Sequence, residues 1–157
     1  MKIRMRLALI IVKTILLLLL PISSFAFDKE PDGFRDIKWG TDIETLKDMK
    51  FKGDYESSKI YTRENDRLRV GVAEVDSVEY FFWKGKFHEV DIKAYKNKGN
   101  LYVETFATFG EGSPSVVGFK WKGLITTIYL NIFDDHTTLR MLSTEIESKK
   151  VKEDKGF

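Results

Sequence analysis

The sequence of 157 residues contains no cysteine and only two histidines. The absence of cysteine excludes disulfide bonds, a thiol nucleophile and lipid attachment through a cysteine. Stability must therefore come from a packed core. None of the serines lies in the G-x-S-x-G frame of a nucleophile elbow, and no glycine-rich stretch has the lysine that a phosphate-binding loop needs. These absences favour a protein that is not an enzyme.

The two histidines offer little further chemistry. His88 alternates with Val90 and Ile92 in a strand pattern, which indicates a structural position. His136 follows two aspartates at 134 and 135, and the three residues are potential metal ligands. Adjacent residues in a tight turn point in different directions, however, and aspartates are common in turns because they bond their own backbone. We expect no cofactor and no metal site; a metal-dependent or hydrolytic enzyme built on Asp134, Asp135 and His136 is the alternative.

Residues 1–26 predict a secretory signal peptide. Three basic residues lie among the first six, an apolar run follows at 7–20, and small residues precede a cleavage site after Ala26. The run contains Lys13 and is shorter than the roughly 20 apolar residues that a membrane-spanning helix requires. We therefore expect a periplasmic or secreted protein with no membrane span after cleavage. An uncleaved N-terminal anchor is the alternative.

The charge balance changes when this segment is removed. The whole chain has 26 basic and 24 acidic residues. The four basic residues of 1–26 leave with the signal peptide, so 22 basic and 24 acidic residues remain, a net charge of −2. A nucleic-acid-binding domain would be clearly basic. We therefore expect no nucleic-acid partner.

The remainder of the chain predicts a lead-in at 27–33, one α+β domain at 34–150 and a frayed tail at 151–157. Thr41 and Glu44 form a capping-box pattern and predict a short helix that ends near residue 50. A second helix is expected at 97–109 and a third at 144–150. Alternating apolar and polar residues predict the strands, at 59–63, 67–72, 78–83, 87–95, 116–121, 124–133 and 137–142.

An internal repeat is the main clue to how these elements combine. Segment 83–92 aligns with segment 121–130, thirty-eight residues later. Each contains Trp-Lys-Gly followed by apolar positions at matching places, and each follows a short helix. We predict two related helix-plus-hairpin units joined in a single antiparallel sheet of about six to seven strands, with the short helices on one face.

Three segments, 33–41, 80–87 and 121–123, resemble a set of small exported bacterial proteins of unknown function. The resemblance lies in an F-x-x-I-x-W-G-T start and in the repeated W-K-G hairpins. More loosely, a short helix followed by an antiparallel meander is similar to the tandem repeats of beta-lactamase-inhibitor proteins and of small outer-membrane assembly lipoproteins, which are binding modules. The resemblance implies a shared layout and brings no activity with it.

Residues 80–83 are four consecutive aromatics, so two of them must point away from the core. On a sheet covered on one side, Phe81 and Trp83 would meet water, with Tyr80 and Phe82 as the alternative pair. Phe87 and Tyr95 of the return strand could join them. An exposed apolar patch often marks a binding surface. We predict an exported, non-catalytic binding module whose partner is an envelope protein or a small apolar ligand. A structural envelope component is a further alternative. If the N-terminal segment or the C-terminal helix covers that face of the sheet, the aromatic residues belong to the core instead.

Overall fold

The computed structural model describes Phe27 and residues 30–156. The predicted signal peptide and its cleavage site after Ala26 lie outside the described residues. The strands, numbered β1 to β12 in chain order, are Gly33–Phe34, Ile37–Lys38, Met49–Tyr55, Ser58–Arg63, Arg69–Val70, Ala73–Glu74, Ser77–Trp83, Lys86–Ala94, Ser113–Ser115, Gly118–Lys122, Thr126–Ile132 and Thr137–Ser143. Helices α1 and α2 span Lys98–Phe109 and Thr144–Asp154, so α2 extends into the segment predicted to fray. Neither has the length and apolar character needed to cross a membrane.

The described chain is mostly β-structure. Its main sheet has eight strands in the order β3-β4-β7-β8-β12-β11-β10-β9, and every neighbouring pair is antiparallel. Two further sheets have two strands each, β1-β2 and β5-β6. The prediction of a single sheet with six to seven strands is therefore wrong. The sequence pattern does not predict two main-sheet strands, because β9 has the composition of a turn and the residues of β3 follow a helical pattern at their start.

The segment that begins at Thr41 forms only one turn of 3-10 helix, Ile43–Thr45, in place of the predicted short helix. Tertiary hydrogen bonds explain the difference. The amide of Gly40 donates to the carbonyl of Phe87 at 2.7 Å, and the amide of Ile43 donates to the carbonyl of Gly85 at 2.9 Å. These bonds fix the segment against β8, and this tertiary pairing overrides a weak local helix preference.

The main sheet has two differently covered faces. The first face carries Tyr80, Phe82 and Val90, and the second face carries Phe81 and Glu89. Helix α1 packs on the first face, where its residues Leu101 and Thr105 are buried in the main apolar core. The core therefore lies between α1, the N-terminal strands and the first face.

Helix α2 lies over the second face. It begins at Ser143, whose hydroxyl accepts a hydrogen bond from an amide in the first turn of the helix. Glu147 of α2 lies 3.5 Å from His88 of β8, and Lys150 lies 3.4 Å from a Glu56 carboxylate oxygen. The prediction that the short helices share one face is wrong, because α1 and α2 cover opposite faces.

A β-bulge in β8 decides which residues reach the second face. Phe81 pairs with Glu89 and the next pair is Phe82 with Phe87, so His88 has no partner in β7. Phe87 consequently lies on the first face, with its ring centroid 5.4 Å from that of Phe82. His88 lies on the second face next to Glu89. A bulge re-aims side chains in this way, and strict alternation predicts the opposite face for both His88 and Phe87.

The two Trp-Lys-Gly segments occupy different places in the sheet. Successive strand pairings across the sheet connect Trp121 through Ile128 to Tyr80. Residues paired in this way share a face, so Trp121 lies on the first face with Tyr80. Its ring packs edge-on against Phe106 of α1, with the centroids 5.3 Å apart. Trp83 is adjacent to Phe82 and lies on the second face. The two tryptophans are therefore in unrelated settings.

Gly118 in β10 is expected to tolerate no side chain. A Cβ atom at this position would overlap the carbonyl oxygen of Leu130 in β11. Gly118→Ala should therefore lower the free energy of unfolding by about 1–3 kcal/mol, the usual cost of overpacking. Gly53→Ala is the matched control, because a Cβ there meets nothing within 4 Å. Urea unfolding followed by circular dichroism measures both, and equal stabilities would contradict the close β10–β11 approach.

Candidate functional site

The predicted aromatic patch is not exposed. Phe81, Trp83 and Phe87 are 5%, 8% and 0% exposed, and only Tyr95, at 48%, meets solvent. Phe81 and Trp83 do lie on the second face, but this face is covered; Tyr55 packs edge-on against the Phe81 ring with the centroids 6.1 Å apart. Phe87 is on the opposite face because of the bulge. The structure does not bring the four residues together on one accessible surface.

The Asp134–His136 run forms a turn that joins β11 to β12. The Nδ1 of His136 lies 2.7 Å from Oδ1 of Asp135, and the His136 ring stacks on Phe133 with the centroids 4.6 Å apart. Within the described part of the chain, these three residues do not form a cluster of three potential metal ligands. The run therefore has the geometry of a turn.

A group of charged and polar residues lies on the second face instead. His88, Glu89 and Asp91 come from β8, Arg140 comes from β12, and Glu147 comes from α2. We call these five residues the second-face cluster. The antiparallel pairing of β8 with β12 places Arg140 opposite Asp91, and the cover provided by α2 adds Glu147.

Arg140 is the cation of this cluster. Its Nε lies 3.1 Å from Oε1 of Glu89, and one of its terminal nitrogens lies 3.7 Å from Oδ2 of Asp91. The Arg140 side chain is 37% exposed, whereas the carboxylates of Glu89 and Asp91 are largely buried. The single guanidinium therefore faces two carboxylates that have little access to water.

Ser58 contacts one ring nitrogen of His88. The Ser58 hydroxyl lies 2.9 Å from Nε2 of His88, and the imidazole is 1% exposed. The other ring nitrogen, Nδ1, faces Glu147 at 3.5 Å. The contact with Ser58 therefore fixes the ring so that Nδ1 is directed at a carboxylate.

Four buried side-chain atoms in the described residues have no hydrogen-bond partner there, and all four belong to the second-face cluster. They are Oδ1 of Asp91, Nε of Arg140, Nδ1 of His88 and Oε2 of Glu147. Nδ1 of His88 and Oε2 of Glu147 face each other at 3.5 Å, and Nε of Arg140 lies 3.1 Å from Oε1 of Glu89, but neither contact has the geometry of a hydrogen bond. Buried polar atoms are nearly always hydrogen-bonded, because leaving one unpaired costs about 1–3 kcal/mol. Because this cost is concentrated in one cluster, the cluster is the candidate functional site.

The carboxyl groups of the cluster have perturbed pKa values. Burial raises the pKa of Glu89 and of Asp91, and Arg140 partly opposes this shift in both. The neighbouring His88 lowers the pKa of Glu147 against the effect of burial. Perturbed carboxyl groups that meet in a cleft are typical of functional sites.

A cleft of about 540 Å³ gives access to the cluster between α2 and the sheet. Its polar lining residues are Glu89, Thr127, Tyr129, Arg140, Thr144, Glu147, Ser148 and Lys152. The hydroxyls of Thr127 and Thr144 are 3.1 Å apart and tie β11 to the start of α2. A ligand that enters the cleft would therefore meet Glu89, Arg140 and Glu147 directly.

A second pocket, of about 360 Å³, lies between α1 and the first face. Its lining is mainly apolar and includes Phe34, Val70, Phe109, Leu139 and Met141. A small apolar ligand of the kind predicted from the sequence would fit in this pocket. It lacks the unpaired buried polar atoms that distinguish the second-face cluster.

Comparison with known proteins provides no further assignment, since no family model, curated protein or solved structure matches the chain.

Proposed function

We propose that the protein is an exported binding module that takes a small cationic ligand in the cleft between α2 and the second face. The observation that carries the proposal is the concentration of four unpaired buried polar atoms in the cluster that borders this cleft. A metal ion would accept lone pairs from the imidazole nitrogen and the carboxylate oxygens among these atoms, and an amine or guanidinium would donate hydrogen bonds to them. The Nε–H of Arg140 is a donor and remains directed at Glu89.

The charge of the cluster favours a cation. Glu89, Asp91 and Glu147 contribute three carboxylates to the cluster, and Arg140 contributes one positive charge. Lys152 adds a second positive charge at the lining of the cleft, which leaves an excess of one negative charge. Removing charges from water costs several kcal/mol per ion unless partners compensate, and apolar residues in the same place would often be more stable. Burial of an acidic excess therefore supports a binding role more than a purely structural one.

Export is proposed from the sequence of residues 1–26 alone. Their basic start, apolar run and small residues before the cut have the layout of a signal peptide. Secretion into an aqueous compartment suits a module that captures a small ligand from solution.

Thermal unfolding with a panel of cations tests this proposal. The panel contains divalent metal ions, primary amines and guanidinium compounds, added to protein purified after export. We expect at least one class to raise Tm, since a ligand at about 100 times its Kd stabilises by about 2.7 kcal/mol. Glu147→Gln should abolish the rise.

Glu145→Gln is the matched control, because Glu145 is on the same helix but is exposed and pairs with Lys149 at 2.6 Å. This variant should keep the rise in Tm. If no class of cation shifts Tm, or if the two variants respond equally, the cleft is not a cation site and the proposed function is wrong.

A further inference from the structure

We infer that the cation is a single divalent transition-metal ion such as Zn²⁺. Its ligands are Nδ1 of His88 and the carboxylates of Glu89 and Glu147. This inference rests on the proposed function and specifies the ligand of the same cleft. It assigns a metal-binding role to a histidine that the strand pattern alone marks as structural.

The distances within the cluster fit one ion. The three residues each offer a ligand atom, and these atoms all lie within 4.8 Å of one another. Nδ1 of His88 and Oε2 of Glu147 are 3.5 Å apart. Two ligands that bind a tetrahedral zinc ion at roughly 2.0–2.1 Å are themselves about 3.4 Å apart. This pair of ligand atoms therefore already has the spacing that a shared ion requires.

The orientation of His88 supports coordination by Nδ1. The Ser58 hydroxyl oxygen, 2.9 Å from Nε2, can accept a hydrogen bond from an N–H at that nitrogen, and this tautomer has its lone pair on Nδ1. Metal-binding histidines commonly donate their other ring proton to such an outer partner. Nδ1 is almost completely buried and has no hydrogen-bond partner among the residues described. A buried imidazole nitrogen held toward a carboxylate in this way is suited to bind a metal.

The bulge in β8 makes this ligand set possible. Neighbours on a regular strand point to opposite faces, so adjacent residues cannot reach one ion. The extra residue at position 88 places His88 and Glu89 on the same face, below Glu147 of α2. Bulges are over-represented next to functional sites for this reason.

The chemistry of the ligands favours zinc or a similar ion over calcium and magnesium. Imidazole nitrogen and carboxylate oxygen are both ligands that zinc accepts, whereas calcium and magnesium prefer oxygen ligands alone. Two carboxylates balance the charge of a divalent ion. Glu89 and Glu147 also line the cleft, so a further coordination position would be open to water or to a second ligand.

Calorimetric titration with Zn²⁺ tests the inference on protein purified after export. We expect one ion per chain. His88→Gln should weaken binding by at least about 100-fold, and Ser58→Ala should weaken it by about 10–100-fold, the usual effect of losing an outer partner. His136→Ala should leave binding unchanged, because His136 lies in the β11–β12 turn.

A measurement on the unmodified protein guards against variants that fail to fold. The chain has only two histidines, so its imidazole ¹⁵N spectrum contains two ring systems, and His136→Ala assigns them. Addition of Zn²⁺ should shift the Nδ1 resonance of His88 by coordination.

The outcomes separate the inference from the proposed function. Absence of zinc binding, or zinc binding lost in His136→Ala and kept in His88→Gln, overturns the metal site. If amines or guanidinium compounds still raise Tm in a way that depends on Glu147, the proposed function stands without the metal. If they do not, both are wrong.

Discussion

Phe82→Ala is expected to lower the free energy of unfolding by about 3–5 kcal/mol, enough to unfold a large fraction of a marginally stable domain. Phe82 is 1% exposed, and its ring centroid lies 5.2 Å from that of Tyr61 and 5.4 Å from that of Phe87. Truncation would leave a cavity that these rings cannot fill without moving. Urea unfolding followed by circular dichroism measures the loss.

The matched control for this core truncation is Phe51→Ala. Phe51 is in the edge strand β3, also packs on Tyr61, and is 52% exposed. Its truncation should cost about 1 kcal/mol or less, as is usual for partly exposed surface positions. A loss below 1 kcal/mol for Phe82→Ala, or equal losses for the two variants, would mean that the first face is not the centre of the core.

Arg140→Ala is expected to destabilise the protein by about 3 kcal/mol at neutral pH, the lower end of the range for breaking a buried ion pair, because Arg140 is partly open to water. Removal of the guanidinium leaves Glu89 and Asp91 buried without their cation. Urea unfolding at two pH values, near 4 and near 7.5, measures the effect. Arg69→Ala is the control, since Arg69 is exposed and only 4.0 Å from its partner Glu74.

The pH dependence has a definite sign. Burial raises the folded-state pKa of Glu89 and Asp91 above their unfolded values of about 4. The folded state therefore binds more protons, and stability falls as pH rises from the unfolded pKa through the folded pKa. Loss of Arg140 raises both folded pKa values further. The deficit of the variant should thus be small near pH 4 and larger near pH 7.5; an equal deficit at both would exclude these carboxylates as its cause.

Local patterns in the sequence predict several elements well. The helix expected at 97–109 is present as α1, and the strands expected at 78–83 and 87–95 are present as β7 and β8 within one residue at each end. These elements have strong periodicity, and Gly110, with φ of +74°, ends the helix as expected. Such features are encoded by neighbouring residues.

The features that were missed depend on distant residues. The helix expected at Thr41 is replaced by backbone pairing with residues 85–87. The second face is covered by α2 and by Tyr55, which packs edge-on against Phe81. Phe81 and Trp83 are buried there, although alternation alone would leave them exposed. Neither effect can be found from periodicity in one segment.

The candidate site was missed for the same reason. Alternation places Glu89 and Asp91 on one face, but it gives no sign that Arg140 pairs opposite them or that Glu147 covers them. The bulge also places His88 on the face opposite to the one that its spacing from Val90 predicts. The sequence does show His88, Glu89 and Asp91 close together in one predicted strand. Whether they form a site depends on the pairing of β8 with β12, which the sequence pattern does not give.

Anomalous X-ray diffraction from crystals grown with Zn²⁺ tests most directly whether the second-face cluster is a metal site. Data collected just above the zinc absorption edge should show one peak within about 2.0–2.2 Å of Nδ1 of His88 and of a carboxylate oxygen from each of Glu89 and Glu147. A map without a peak in the cluster, from crystals that hold zinc elsewhere on the protein, would contradict this account.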